Sequence, residues 1–413
     1  MAVLSFEQAL AIVLEHAGKV TGCPAEAVPL LDSMGRVLAQ PIVADRDQPP
    51  FDRATRDGFA VRAAEWVAGK PLCVAGQIRA GELWNGGELP PGAALEIMTG
   101  APVPTGADAV AMLEHALGAH RCVESVEGRR LAAGENIVQR GSEARAGETV
   151  VPAGAMIASA EIAEAASCGM AELQVYERPK VAIVATGDEL VELTDSPAEH
   201  QIRNSNGYAL AALVAAAGGE PQMLAIARDT REDLRARLLA AREADLLLLS
   251  GGVSAGKYDL VEEVLAEFGA EFYFTGVRMQ PGKPVVFGRM PAERLGGRAG
   301  SFLYFFGLPG NPVSTEVTFH CFAAPLLHGL GGAGVTQPRF AQATLEEDVV
   351  AKAGLTRVLP ARWTPQLDRP SVRLVRWHGS GDLAANARAN CYAVFREGGP
   401  DFEAGDVVTV LLR

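Results

Sequence analysis

Between residues 180 and 312 the apolar residues fall in short unbroken runs, each followed by a glycine-rich or acidic turn. The runs 181–185, 223–227, 246–249, 272–275, 285–287 and 302–306 mostly lack the alternation of a half-exposed strand. They predict strands covered on both faces. Helical spacing marks 207–217, 230–243, 259–268 and a last helix from Val313. Strand and helix alternate as in right-handed βαβ units, which predicts a doubly wound, mostly parallel α/β sheet. Such sheets bind ligands beyond the carboxyl ends of their strands. There the chain places Thr186-Gly187-Asp188-Glu189, Arg228-Asp229, Ser250-Gly251-Gly252-Val253-Ser254 with Asp259 behind, and Gly307-Leu308-Pro309-Gly310-Asn311-Pro312. Four acids, Asp188, Glu189, Asp229 and Asp259, therefore share one rim.

The flanking chain reads differently. Residues 5–19 predict an amphipathic helix with Ser5 as N-cap and Phe6, Ala9, Leu10, Val13 and Leu14 on one face. A second helical piece is expected at 31–38, before Pro41, Pro49 and Pro50 break regular structure. This opening is too thin for its own core and should join a later segment. Residues 70–130 carry short β-like runs among Gly and Pro and predict a small β-lobe; Asp57-Gly58 is a turn ahead of a strand. A glycine series at 134–152 precedes a helix at 159–167 and a strand at 171–175, and Arg178-Pro179 marks a boundary. After a linker at 329–338, five β-like runs in 339–413 predict a barrel or sandwich.

A length of 413 residues implies two to four domains. The formal net charge of −13 argues against a phosphate-tracking surface, and so against nucleic acid as main partner. It leaves room for a small anionic ligand held by loop amides or a cation. The six cysteines form no close pairs, and no zinc or redox motif emerges. No apolar run reaches membrane-spanning length and no secretory leader pattern opens the chain, so a cytoplasmic protein without a membrane partner is expected.

The rim acids suit Mg2+, which takes one or two carboxylates and leaves positions for water and phosphate oxygens. Taken singly, Asp229 with Glu232 reads equally as a capping box, Asp259 as a helix cap and Glu189 as a solvated loop residue. The Ser250–Ser254 loop removes side chains from an anion's approach, yet it is neither a P-loop nor a GxGxxG fingerprint. Lys283 stands between Pro281 and Pro284, which restrict its loop; a solvated turn lysine fits the pattern as well. The seven histidines offer no metal-spaced pair beyond the loose His115/His120, and no nucleophile–base pair stands out. By itself the pattern reaches a cytosolic α/β protein that binds a phosphorylated ligand with Mg2+.

Several of these segments, with others, resemble the MoeA family of molybdopterin molybdenumtransferases, which includes the gephyrin E domain. They are Phe51-Asp52 with Asp57-Gly58-Phe59-Ala60-Val61, Met98-Thr99-Gly100-Ala101-Pro102-Val103-Pro104, Asn136-Ile137 and Arg140-Gly141. Thr186-Gly187-Asp188-Glu189-Leu190, Ser250-Gly251-Gly252-Val253-Ser254, Pro281-Gly282-Lys283-Pro284 and Gly307-Leu308-Pro309-Gly310-Asn311-Pro312-Val313-Ser314 complete the set, in family order over nearly the whole chain. The resemblance implies a homodimer built from an elongated dimerisation region (1–50 and 135–177), a β-rich lobe (51–134), a Mog-like α/β domain (178–330) and a C-terminal β-barrel (331–413). Its active site would lie between the Mog-like domain of one subunit and the β-lobe of the other. The implied reaction inserts molybdate into adenylylated molybdopterin, with Mg2+ assisting release of AMP. Asp57, Thr99, Glu189, Asp229 and Asp259 carry over as catalytic residues, and Glu189, Asp229 and Asp259 also as metal ligands. Arg140, Gly187, Asp188, Ser250, Gly251, Gly252, Ser254, Lys283, Pro309, Gly310 and Asn311 carry over as substrate contacts. The Mog-type adenylyltransferase and recipient molybdoenzymes are the implied protein partners.

The chain departs from the family pattern at Arg53-Ala54-Thr55-Arg56, where Asn-Ser-Ala-Met is usual. Either arginine could hold an anion or pair with Asp57. Gln280 replaces a common lysine and Glu143 a usual aspartate. A Mog-type adenylyltransferase and a non-catalytic molybdopterin-binding scaffold are the competing readings, and tungstate competes with molybdate.

Overall fold

The structure is a computed structural model that describes residues 3–119, 121–252, 258–350, 352–399 and 401–413, without the side chains of residues 119, 258 and 259. Its central unit contains strands β1 (Lys180–Ala185), β2 (Glu220–Met223), β3 (Leu246–Ser250), β4 (Glu271–Phe274), β5 (Val286–Pro291) and β6 (Phe302–Leu308). Its helices are α1 (Ser205–Ala216), α2 (Arg231–Ala240), α3 (Tyr258–Glu267) and α4 (Pro312–Thr318). The sheet order is β2-β1-β3-β6-β5-β4. Strands β2, β1, β3 and β6 run parallel, and β5 is antiparallel to both its neighbours.

Both faces of this sheet are covered, which explains the unbroken apolar runs. Val181, Ile183, Leu246, Leu248 and Phe306 enter one core cluster, whereas Ala182, Val184, Leu247, Leu249 and Phe305 enter the other. A fully buried leucine contributes about 1.5–3 kcal/mol, so β3 alone is a substantial anchor. The expected strand at 223–227 sits earlier, at Glu220–Met223. It is the edge strand, and partial exposure removes the apolar signature that marks its neighbours.

The helix Phe6–Ala17 has the expected Ser5 cap, with Gln8 completing a capping box. Its buried face meets the central unit. Phe6, Ala9, Val13 and Ala17 join the central core beside Val181 and Leu246. Of the helix expected at 31–38, only a 3-10 turn at Leu30–Ser33 forms. Val37 and Leu38 instead bridge to Met156 and Val175, so tertiary pairing overrides local propensity. Ala25–Pro29 pairs with Glu172–Tyr176, and Ile42–Val43 with Thr149–Val151. These pairings join two sequence segments that flank the lobe.

The lobe is a six-stranded sheet that includes Gly58–Val61, Ala93–Ile97 and Ala109–Met112. In the C-terminal region Thr356–Thr364 pairs with both Ser371–Leu374 and Cys391–Phe395. Phe340–Leu345 and Val407–Leu412 complete the ring, which closes a five-stranded barrel and decides against a sandwich. Among the described residues, no helix is long and apolar enough to cross a membrane.

Candidate active site

The carboxyl ends of β1, β3 and β6 open into one cavity of about 400 Å3. Gly187, Glu189, Asp229, Ser250, Gly251, Gly252, Pro309, Gly310 and Asn311 all line it. The topological rule thus brings together residues from four separate loops. Hydrogen bonds stitch the loops to one another: Thr186 N donates to Ser250 O (2.9 Å), Gly187 N to Ala227 O (3.1 Å) and Gly251 N to Leu308 O (3.2 Å). The Gly251 amide is therefore spent inside the scaffold.

Two glycines are required here by shape. Gly187 has φ +152°, and a Cβ on it would lie 2.6 Å from a carboxylate oxygen of Glu189. Gly251 has φ +93°, and its Cβ would lie 2.5 Å from Thr186 O. Side chains at either position would fill the space in which Glu189 and Thr186 meet the cavity. Thr186 is buried, and its Oγ1 has no hydrogen-bond partner among the described residues.

Asp229 does not cap the following helix. Thr230 does so, accepting from Asp233 N, which leaves Asp229 in the loop that lines the cavity. Asp188 lies outside the lining and accepts from Asp229 N at 3.2 Å, while Arg228 donates to the carbonyl of Asp188 at 3.1 Å. Pro284 lines the cavity, whereas Lys283 is exposed beside it. Ser254 lies outside the described residues, and so does the side chain of Asp259. Among the described residues, no group of three or more His, Cys, Asp or Glu side chains is placed to hold a metal ion. Two carboxylates, Glu189 and Asp229, nevertheless share the cavity, and two with open positions is the donor set typical of Mg2+.

Asp57, Thr99 and Arg140 do not line this cavity. Asp57 Oδ1 accepts from both the amide and the hydroxyl of Thr99, each at 2.6 Å. Those two hydrogen bonds hold the Asp57 carboxyl below its usual range. Among the described residues neither nearby arginine pairs with Asp57: Arg53 reaches Glu143 at 3.4 Å, and Arg56 donates to Thr55 O. Arg140 Nε meets Asp47 at 2.8 Å, and the Arg140 amide donates to Asp52 at 2.8 Å.

Asn206 escaped the sequence analysis. Its Nδ2 donates to Ser250 Oγ (3.0 Å), Gly310 O (2.7 Å) and Thr315 Oγ1 (3.2 Å), tying three lining elements at the start of α1. The available signal was Asn204-Ser205-Asn206, a polar triplet directly ahead of the apolar helical pattern.

Known proteins resemble the chain along its length. Residues 4–169 match the MoeA N-terminal region (domain I and II), 182–329 a probable molybdopterin binding domain and 342–412 the MoeA C-terminal region (domain IV). A molybdopterin molybdenumtransferase of Staphylococcus aureus (strain COL) is 33% identical over 399 residues, covering 94% of this chain and 91% of its own. One from Staphylococcus epidermidis (strain ATCC 12228 / FDA PCI 1200) is 32% identical, covering 92% and 89%. The crystal structure of a molybdopterin biosynthesis moeA protein from Pyrococcus horikoshii OT3 superposes with a TM-score of 0.80 at 26% identity, covering 100% of both chains.

Proposed function

The chain belongs to the MoeA family of molybdopterin molybdenumtransferases, and from that premise we propose that it inserts molybdate into adenylylated molybdopterin during molybdenum cofactor biosynthesis. The observation that carries this reading is the single rim cavity, lined by glycine loops, Glu189 and Asp229. The substrate class is anionic and carries a phosphoanhydride, so it needs backbone that approaches closely, hydroxyl donors and a counter-cation. Gly251, Gly252 and Gly310 allow the approach. The unpartnered Thr186 hydroxyl offers a hydrogen bond to a phosphate oxygen.

Glu189 and Asp229 would hold Mg2+, with Asp259 as a third candidate ligand. Bound there, Mg2+ supplies neutralising charge for the phosphate oxygens of the departing AMP. Asp188 positions the backbone of Asp229 through their hydrogen bond. Lys283, exposed beside the cavity, supplies a second positive charge from the chain itself.

Asp57 and Thr99 belong to the lobe and would act in trans within a homodimer. Exposed Leu31, Met34 and Met156 on the elongated region support a subunit contact there. Asp57, held in place by Thr99, would position molybdate or the scissile anhydride. The test is to incubate the purified chain with adenylylated molybdopterin, molybdate and Mg2+, then add a cofactor-free molybdoenzyme. Activation of that enzyme is expected; none from a folded wild-type chain would contradict the function.

A further inference from the structure

Two cysteines that lie far apart in the sequence meet on the solvent face of the lobe. Strand Leu72–Ile78 pairs antiparallel with Cys122–Ser125, and the register sets Cys73 directly opposite Cys122. Their neighbours Leu72 and Val123 are buried in one core cluster of the lobe. Successive side chains of a strand point to opposite faces. Both thiols therefore leave the sheet on the side away from that core, and both cysteines are exposed. Of the other four, Cys23 is half-buried and Cys168, Cys321 and Cys391 are buried.

The ladder decides how closely the pair approaches. Val74 N donates to Arg121 O at 3.0 Å, whereas Cys73 N turns the other way and donates to Gly92 O at 2.9 Å. Cys73 and Cys122 therefore form a non-hydrogen-bonded pair of the antiparallel ladder. Cα atoms in such a pair lie about 4.5 Å apart, with side chains closer than at the hydrogen-bonded positions. A disulfide spans Cα separations of about 4.4–6.8 Å, so the strands already hold the two cysteines at bonding distance without backbone movement.

We propose that Cys73 and Cys122 are a modification site, a dithiol that closes to an intrachain disulfide when it meets a small-molecule disulfide such as oxidised glutathione. One cysteine thiolate attacks the oxidant, forms a mixed disulfide and releases one thiol. The second cysteine thiolate then attacks the sulfur of the first and releases the other thiol. Two protein thiols lose two electrons, the oxidant disulfide is reduced to two thiols, and the two cysteine protons end on the leaving thiolates. The bond pins the hairpin of residues 116–125 to strand Leu72–Ile78, where the ladder comprises the pairs Leu72–Val123 and Cys73–Cys122. That strand ends at Ile78, whose carbonyl accepts from Met98 N, next to Thr99. The proposal stands on the lobe alone and does not depend on the ligand of the rim cavity.

The test treats the folded chain with oxidised glutathione, blocks the remaining thiols with an alkylating agent and reads the tryptic peptides by mass spectrometry. Wild type should give the peptides carrying Cys73 and Cys122 joined within one chain, two hydrogens lighter than their sum, and separated again by dithiothreitol. The oxidised chain should unfold at a higher urea midpoint than the reduced one, because the cross-link restricts the unfolded state. Cys73→Ser and Cys122→Ser should each lose both the link and the rise, and the thiol that remains should end as a mixed disulfide with glutathione. Reduced, both variants should keep the wild-type midpoint, since both positions are exposed. Four results in wild type would each overturn the proposal: unreacted thiols at both positions, glutathione left on both, a link to another cysteine or another chain, or a midpoint that does not rise on oxidation.

Discussion

Thr99 donates twice to one oxygen of Asp57, so a residue 42 positions away lowers the pKa of this carboxyl. Thr99→Val removes the hydroxyl donor and should raise the Asp57 pKa toward its ordinary value of 3.8. A carboxyl-carbon NMR titration measures this, and an unmoved midpoint would show that the backbone amide suffices. Because the folded pKa is depressed, the stabilising effect is present above the unfolded value and fades as pH falls through the folded one. That window lies in acid below 3.8, and exposure keeps the effect small. Gly187→Ala tests the other half of the site. At φ +152° a side chain is strained, and its Cβ would push on Glu189. The expected cost is about 1–3 kcal/mol in stability, with AMP release falling further than the unfolding midpoint alone explains. Wild-type activity in Gly187→Ala would remove Glu189 from the site.

The helical run from Pro312 to Leu330 is the element on which site and barrel meet. Glu316 and His320 lie one turn apart on it. Glu316 is buried and binds Arg413, Asn386 and the hydroxyl of Tyr392. Glu316→Ala would leave the buried Asn386 amide and Tyr392 hydroxyl short of a partner and should cost about 1–3 kcal/mol, read as a lower urea midpoint. Burial, with Arg413 and Arg339 nearby, pushes His320 down to about 4 from an ordinary 6.5. The unfolded chain takes up this proton below 6.5, the folded chain only near 4, so stability should fall as pH drops across that interval. His320→Gln should flatten that slope in thermal melts; an unchanged slope would mean that other groups carry it.

These elements also show what the sequence made legible. Strand β3 was readable because burial on both faces leaves Leu246 to Leu249 uniformly apolar. Strand β2 was displaced because its edge position weakens that signal. Of the rim acids, Glu189 and Asp229 meet in one cavity because topology gathers strand ends, while Asp188 stands outside the lining. Asn206 was not legible, since its importance consists of hydrogen bonds to residues 44, 104 and 109 positions distant. The arginines at 53 and 56 left two readings for Asp57, and the local geometry sends both elsewhere.

In the whole molecule the two halves of the candidate site are separate: Asp57 and Thr99 belong to the lobe, Glu189 and Asp229 to the central cavity. If a homodimer joins them in trans, Asp57→Ala and Glu189→Ala chains should complement each other. Random mixing should restore about a quarter of wild-type activity, since about half of the dimers are mixed and each of those has one complete site of its two. No recovery from a mixed, dimeric preparation would place both halves in one chain. In the proposed reaction the rim cavity is where molybdate enters the dithiolene and AMP departs. Its most direct test is AMP release from adenylylated molybdopterin with Mg2+, with and without molybdate, for wild type and Glu189→Gln. Molybdate-stimulated release by wild type, lost in the folded variant, is the predicted result. Equal release by both proteins would contradict the assigned site, and none from wild type would contradict the activity itself.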